Sequence, residues 1–104
     1  MNVVIAGTDK ASISAAIENE GHQVTRVDIG NGQSLENAGI ESADAYVLTE
    51  MEQATSIVVA KDSNPDLQVI VYDEGSLPDF ATKQTDIVID PRLIDPPTVA
   101  EELA

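Results

Sequence analysis

The chain has 104 residues, no cysteine and a formal net charge of −14, from 19 acidic and 5 basic side chains. This length predicts a single domain over residues 1–104. The charge excludes nucleic acids and anionic membranes as expected partners, because both are bound through Lys and Arg side chains. The absence of cysteine excludes disulfides, thiolate nucleophiles and cysteine-based metal sites.

The acidic residues are spread along the whole chain and do not form a tail. At about 1 M salt the Debye length is only about 3 Å, so the self-repulsion of such a surface is largely screened. This composition is typical of a halophilic, salt-loading cytoplasm such as that of haloarchaea. The first predicted strand follows Met1 directly and no run of about 18 apolar residues occurs, so we expect a cytoplasmic protein.

The first 28 residues predict a strand, a tight turn, a helix and a second strand. A β-branched run over residues 2–6 stops at Gly7, and a second strand over 23–29 delivers Asp28 near its carboxyl end. The helix between them is indicated by apolar residues at helical spacing, Ile13, Ala16 and Ile17. This order is typical of a Rossmann-type βαβ unit, in which the first turn meets a phosphate and the acid meets a ribose.

The remaining residues repeat the alternation of strand and helix. We predict a short helix capped by Ser34, strands over 43–49, 67–72 and 86–89, a helix from Glu50 to Asn64, a short helix after Pro78 and a last helix begun by Asp95. Five strands alternating with helices predict an α/β, three-layer αβα, Rossmann-like fold with a five-stranded parallel sheet. We expect the strand order 3-2-1-4-5, with ligands bound between the carboxyl ends of strands one and four.

The nucleotide-binding fingerprint is incomplete in this chain. The motif Gly-x-Gly-x-x-Gly is represented by Gly7-Thr8-Asp9-Lys10-Ala11-Ser12, in which only the first glycine remains. Asp9 brings a negative charge to a turn that normally receives an anion, so it is expected to cap the helix as the helix's own anion. The alternative is a retained ligand site, to which Lys10 and Asp28 would contribute.

Four segments resemble the N-terminal domain of Trk-type potassium-uptake regulators, known as the RCK or TrkA-N domain. They are GHQVTRVD (21–28), LENAGIESADAYVLTE (35–50), NPDLQVIVYDEG (64–75) and TDIVIDP (85–91). The resemblance implies a cytoplasmic domain that binds NAD or ATP and gates potassium movement through paired subunits. It assigns Gly7 as the first-turn glycine, Asp28 as the ribose-binding acid and Thr49 as a residue beside the nucleotide. The family's sixth strand and C-terminal domain are absent, so a partner subunit would have to supply the link to a channel.

Other chemistries find little support in the sequence. His22 is the only histidine and lies at a predicted turn, so neither a zinc site nor a histidine-dependent nucleophile is expected. Acidic residues at strand ends, such as Asp73 and Asp90, are expected to be solvated and to hold no metal. A receiver domain would need a phosphorylatable Asp at the end of strand three, where this chain has Leu48-Thr49-Glu50. Neither a phosphate-binding Gly-x-x-x-x-Gly-Lys motif nor a Gly-x-Ser-x-Gly elbow occurs.

Two functional hypotheses follow. The first is a stand-alone, degenerate RCK-type module that acts by regulation or protein interaction and whose nucleotide binding is weak or lost. The second is a sensor that binds NAD or an adenine nucleotide in a crevice formed by Gly7, Thr8, Asp9, Lys10, Asp28 and Thr49. A homodimer and association with a transporter or another protein subunit are expected from the resemblance. We expect no enzymatic activity, because a dehydrogenase would need a substrate domain.

Overall fold

Five parallel strands form one sheet that lies between two layers of helices in the computed structural model, which describes residues 1–103 except the side chain of Lys10. The strands are β1 (Asn2–Ala6), β2 (Gln23–Val27), β3 (Ala45–Leu48), β4 (Gln68–Tyr72) and β5 (Ile87–Ile89). The helices are α1 (Ile13–Asn19), α2 (Gly32–Asn37), α3 (Thr55–Ser63), α4 (Asp79–Thr82) and α5 (Pro96–Glu102). This confirms the predicted α/β Rossmann-like fold.

The strand order is 2-1-3-4-5, so the predicted order 3-2-1-4-5 is wrong. After β2 the chain crosses back over β1, and β3 pairs with β1 in parallel register from Val3 opposite Ala45 onward. The physical reason lies in the polarity of the two strands. Every residue of β3 is buried, as a central strand requires, whereas β2 carries exposed Gln23, Thr25 and Arg26 and forms an edge of the sheet. The observed order is also that of flavodoxin and CheY.

Each face of the sheet has its own hydrophobic core. One core lies under α2, α3 and α4, and its largest side chains are Tyr46, Leu35, Ile40, Leu48, Ile57 and Leu67. The other lies under α1 and α5, and its largest side chains are Tyr72, Ile5, Ile13, Ile17 and Ile70. Alternate residues of the central strands supply the two cores, which fixes the sheet between its helices.

Two helix starts show how local sequence sets the elements. Asp95 caps α5 as predicted, because its carboxylate accepts a hydrogen bond of 3.1 Å from the backbone N–H of Thr98. The helix start predicted at Ser34 lies earlier, at Asn31, since the side chain of Asn31 accepts a hydrogen bond from the N–H of Ser34 at 2.9 Å.

Within residues 1–103, no helix has the length and apolar character needed to cross a membrane.

Candidate functional site

The strand order moves the expected ligand crevice. In an open parallel sheet the crevice opens where the chain changes direction along the sheet, at the carboxyl ends of the strands. With the order 2-1-3-4-5, this point lies between β1 and β3, so the crevice predicted between strands one and four is wrong. The predicted site residues that follow β1, β2 and β3 all lie along this carboxyl edge: Gly7, Thr8, Asp9, Asp28 and Thr49. Lys10 belongs to the turn Lys10–Ser12, and its side chain lies outside the described part of the structure.

Gly7 and Thr49 come together at the mouth of the crevice. Gly7 has a left-handed backbone with φ of +103°, and Thr49 and Glu50 pack directly over its Cα, so that a Cβ there would collide with Thr49 Oγ1. The Thr49 side chain is buried, and its hydroxyl is directed at the carbonyl oxygens of Thr8 at 2.6 Å and Ala6 at 3.2 Å. The single proton of this hydroxyl is therefore donated inside the protein, to the loop after β1.

Glu50 and Gln53, which belong to no motif in the sequence, close the crevice. Glu50 Oε2 accepts from the backbone N–H of Thr8 at 3.2 Å, and Glu50 Oε1 accepts from Gln53 Nε2 at 2.7 Å. Gln53 also donates to the carbonyl oxygen of Asp28 at 3.0 Å and accepts from the N–H of Gly30 at 2.7 Å. These two side chains therefore join the loops that follow β1, β2 and β3.

Asp73 extends the same set of hydrogen bonds to the end of β4. Its Oδ2 atom accepts from the backbone N–H of Met51 at 2.7 Å, and its Oδ1 atom accepts from that of Glu74 at 2.8 Å. We refer to Thr49, Glu50, Gln53 and Asp73 as the carboxyl-edge network. The sequence signal that could have found it is position alone, because its members lie just after the predicted strands three and four.

Asp9 acts as the anion of helix α1, as the sequence predicted. Its Oδ1 atom accepts from the backbone N–H of Ser14 at 2.9 Å, and its Oδ2 atom accepts from the Ser14 hydroxyl at 2.8 Å. Partial burial opposes ionisation, but the two hydrogen bonds from Ser14 and the charge of Arg26 outweigh it and lower the pKa of Asp9. Ser12, which replaces the third motif glycine, has a left-handed backbone with φ of 59°.

Replacing Asp9 by alanine is expected to lower the free energy of unfolding by about 1 kcal/mol at neutral pH, because the cap on α1 is lost. Since the native pKa of Asp9 is lowered, this stabilisation is complete above the unfolded-state pKa of about 3.9 and is lost as the pH falls through the native value. Urea unfolding across the acidic range should therefore show wild type and variant converging. Asp9→Asn, which keeps a capping oxygen, serves as the control, and a wild-type advantage that persists in acid would contradict a role for the carboxylate.

The carboxyl edge of the sheet is strongly acidic. Each strand is followed within three residues of its end by a carboxylate, and these are Asp9, Asp28, Glu50, Asp73 and Asp90. Arg92 lies at the same edge, but it is paired with Asp90 at 2.8 Å and with Glu74 at 3.7 Å. A pyrophosphate approaching this edge would meet carboxylates, whereas phosphate sites in sheets of this type offer free N–H groups or cations.

A cleft of about 340 Å³ opens beside the crevice, between the loop after β2 and the start of α3. Its lining includes Gly30, Asn31, Gln53 and Ser56. Ser56 is already bonded to the buried Tyr46, whose hydroxyl donates to Ser56 Oγ at 2.7 Å. Throughout the described residues, every buried side-chain nitrogen or oxygen has a hydrogen-bond partner. Ile29, Val59 and Glu52 also line it, so the cleft presents apolar and acidic groups as well as backbone and amide groups to a ligand.

The described residues do not form a metal site or a phosphorylation site of the receiver-domain type. In residues 1–103, no three histidine or carboxylate side chains are grouped closely enough to hold a metal ion. The position directly after β3, where a receiver domain would carry its phosphorylated Asp, holds Thr49, whose hydroxyl is bonded within the protein. Although the strand order is that of CheY, the residues for phosphoryl transfer are not at the expected positions.

Comparison with known proteins places the chain in a family. Two similar solved structures, with TM-scores of 0.70, come from proteins described as pilus assembly-related from Burkholderia pseudomallei and as the pilus assembly protein CpaE from Burkholderia thailandensis. They are 15% and 14% identical, and each match covers 99% of this chain and 86% or 94% of the other, which shows a shared fold alone. The chain matches none of the curated proteins with which it was compared. Residues 3–103 match DUF7126, a family of unknown function. The chain therefore belongs to the DUF7126 family.

Proposed function

We propose that this protein is a regulatory or protein-interaction module built on a Rossmann-like fold whose nucleotide binding has been lost. One observation carries the proposal. The N–H of Thr8, which opens the turn after β1, is bonded to the Glu50 carboxylate at 3.2 Å. In a nucleotide-binding turn such a donor is held for a phosphate oxygen. Here the chain supplies its own anion at that position.

Charge supports the same proposal. The carboxylate of Asp9 binds at the start of α1, where helix amides would otherwise receive an anion. Together with Glu50 at the N–H of Thr8, Asp9 at the N–H of Ser14 accepts hydrogen bonds from backbone groups that could otherwise bind a pyrophosphate. A bound nucleotide would have to displace both hydrogen-bonded groups and overcome repulsion by the rest of the acidic edge.

An interaction role also agrees with the names of the structural neighbours, which refer to pilus assembly and not to catalysis. We carry over from them only that the module acts by binding another protein subunit. In an RCK-type role this subunit would belong to a potassium transporter, and the module would regulate it, as a homodimer, without a nucleotide. Neither role requires an open crevice between β1 and β3.

The alternative is a sensor of NAD or an adenine nucleotide. The cleft of about 340 Å³ at the end of β2 favours it, because this cleft adjoins the position of a ribose-binding acid. Asp28 lies there with an exposed side chain. A ligand held in this cleft would contact the loop after β2 and would leave Glu50 in place.

Thermal unfolding in multimolar KCl with NAD, NADH, ATP, ADP and AMP tests the proposal. A nucleotide at 100 times its dissociation constant would stabilise the protein by about 2.7 kcal/mol, a shift of about 10 °C or more for a domain of this size. We expect no shift with any of them. A shift with one nucleotide that disappears in Asp28→Ala would establish the sensor and overturn the proposal.

Variants of the crevice sharpen this test. Asp9→Gly restores a motif glycine, but we expect no gain in NAD affinity because Glu50 still occupies the N–H of Thr8. The double variant Asp9→Gly/Glu50→Ala removes both internal anions and is the form in which residual affinity should first emerge. Tight NAD binding by Asp9→Gly alone would show that Glu50 does not block the turn.

A further inference from the structure

We propose that a second copy of this chain docks on the free edge of β5, across a two-fold axis that sets the two β5 strands side by side. The inference rests on the proposed interaction function and names its surface. We define the β5-edge surface by its large exposed apolar side chains: Phe80, Ile87, Val88, Leu93 and Ile94. Apart from Ile29 and Val58, these are all the large apolar side chains that the described residues expose.

The two edges of the sheet differ in a way that indicates different uses. The β2 edge carries Gln23, Thr25 and Arg26, all exposed, and such polar or charged residues are the usual protection against strand pairing. The β5 edge consists of Ile87, Val88 and Ile89, and it has no charged residue within the strand. Val88 is 49% exposed and Ile87 is 41% exposed. An unprotected apolar edge of this kind is suited to pairing with another strand.

The apolar character continues on both faces of the sheet beside β5. Val88 pairs with Val71, so its side chain is on the α4 face, where Phe80 is 51% exposed on α4 itself. Ile87 pairs with Ile70 and is on the opposite face. Leu93, which follows the strand, is 81% exposed. A partner placed along the strand edge would therefore cover apolar side chains on both faces at once.

The local charge selects a second copy as the occupant. Residues 79–94 contain three acidic and two basic side chains, a net charge of −1 in a chain of −14. Arg92 is paired with Asp90 at 2.8 Å, and Lys61 approaches Asp86 at 4.0 Å. Two copies that met through any strongly acidic surface would set carboxylates against carboxylates, which is costly. With Val88 opposite its own copy, Asp86 lies opposite the partner's Asp90 at each end of the strand pair. Each of these carboxylates has a cation of its own chain beside it, Lys61 for Asp86 and Arg92 for Asp90, which reduces their repulsion.

A two-fold axis at the centre of the edge makes the arrangement testable. Side-by-side β5 strands related by two-fold symmetry run antiparallel, with Val88, the middle residue of the strand, opposite its own copy. Opposed residues in an antiparallel pair have Cα atoms about 4.5–5.5 Å apart, which is within the range that a disulfide spans. The chain has no cysteine, so a single introduced cysteine can form a disulfide only with the same residue of another copy.

The experiment compares Val88→Cys with Thr25→Cys, which places the same group on the exposed opposite edge. Mild oxidation in multimolar KCl should give a covalent dimer with Val88→Cys, in a yield independent of dilution over the range in which the dimer persists. Thr25→Cys should stay mainly monomeric on a non-reducing gel. Equal yields from the two variants, or no dimer from Val88→Cys, would overturn the proposal.

Light scattering gives an independent measurement of the oligomeric state that needs no introduced cysteine. We expect a dimer for wild type and for Thr25→Lys, and a monomer with unchanged circular dichroism for Val88→Lys, because two lysines would then oppose each other. A monomeric wild type, or a Val88→Lys variant that still dimerises, would refute the docking surface. The nucleotide measurements are independent of these experiments. A monomeric protein would refute the docking surface but not the loss of nucleotide binding, and a response to a nucleotide would refute the loss of nucleotide binding but not the dimer.

Discussion

Replacing Gly7 by alanine is expected to lower the free energy of unfolding by about 3 kcal/mol, the largest effect of a single methyl group that we expect in this chain. A left-handed backbone, here with φ of +103°, costs a residue with a Cβ about 1–2 kcal/mol. The added Cβ also collides with Thr49 Oγ1 and lies 3.0 Å from Glu50 Cγ, and overpacking of this kind costs about 1–3 kcal/mol. Guanidinium unfolding in concentrated KCl measures the loss.

Gly21→Ala is the matched control for this prediction. Gly21 also has a left-handed backbone, with φ of +92°, but a Cβ there would have no atom within 4 Å. We therefore expect it to lose only the backbone contribution of about 1–2 kcal/mol. The difference between the two variants reports the packing of Thr49 and Glu50 over the turn. Equal losses of unfolding free energy in the two variants would mean that Thr49 and Glu50 do not pack against the Cβ position of residue 7.

The second large effect concerns Tyr46 and alkaline pH. Burial raises the pKa of the Tyr46 hydroxyl to about 12, although its hydrogen bond to Ser56 acts in the opposite direction. The unfolded chain loses this proton near pH 10, so between about pH 10 and 12 the native state holds more protons than the unfolded state. Stability must therefore fall as the pH rises through this range, by up to about 2.7 kcal/mol. Chemical unfolding at a series of alkaline pH values should show this slope.

Tyr46→Phe should remove most of that slope, with Tyr72 contributing the remainder, while costing about 1–2 kcal/mol at neutral pH, because the buried hydroxyl of Ser56 then loses its partner. Tyr72→Phe is the comparison, since it is the other tyrosine of the chain and its hydroxyl donates to the carbonyl oxygen of Ile94 at 2.9 Å. Burial and then the charge of Asp95 raise the pKa of Tyr72. If the alkaline slope persisted in Tyr46→Phe and disappeared in Tyr72→Phe, the loss of stability would be due to Tyr72 and the prediction for Tyr46 would be wrong.

The first-turn glycine shows how one sequence feature can serve two different structures. Gly7 followed by a helix is read as the remnant of a nucleotide motif, in which backbone must approach a phosphate. In this fold the same absence of a side chain admits Thr49 and Glu50, and the N–H of Thr8 is used internally. A glycine at this position is therefore required by the packing of the closed crevice, with or without a ligand.

Much of the local structure could be predicted because its causes lie within a few residues. The first strand, Asn2–Ala6, has the predicted bounds, and the cap at Asp95 and the capping role of Asp9 are confirmed. The helix cap predicted at Ser34 was wrong for an equally local reason, since the residue that caps this helix, Asn31, lies three residues earlier. Periodicity and capping are short-range effects, so they can be recovered from a single sequence.

The sequence by itself determined five parallel strands alternating with helices, an acidic surface and an incomplete phosphate turn. Only the tertiary structure decided the strand order, because that depends on which strand is buried on both faces, and β3 exceeds β2 in this respect. It also decided that the crevice is closed. The bonds that close it join Thr8 to Glu50 and Gly30 to Gln53, residues 42 and 23 positions apart, and such pairs meet only when the sheet has formed.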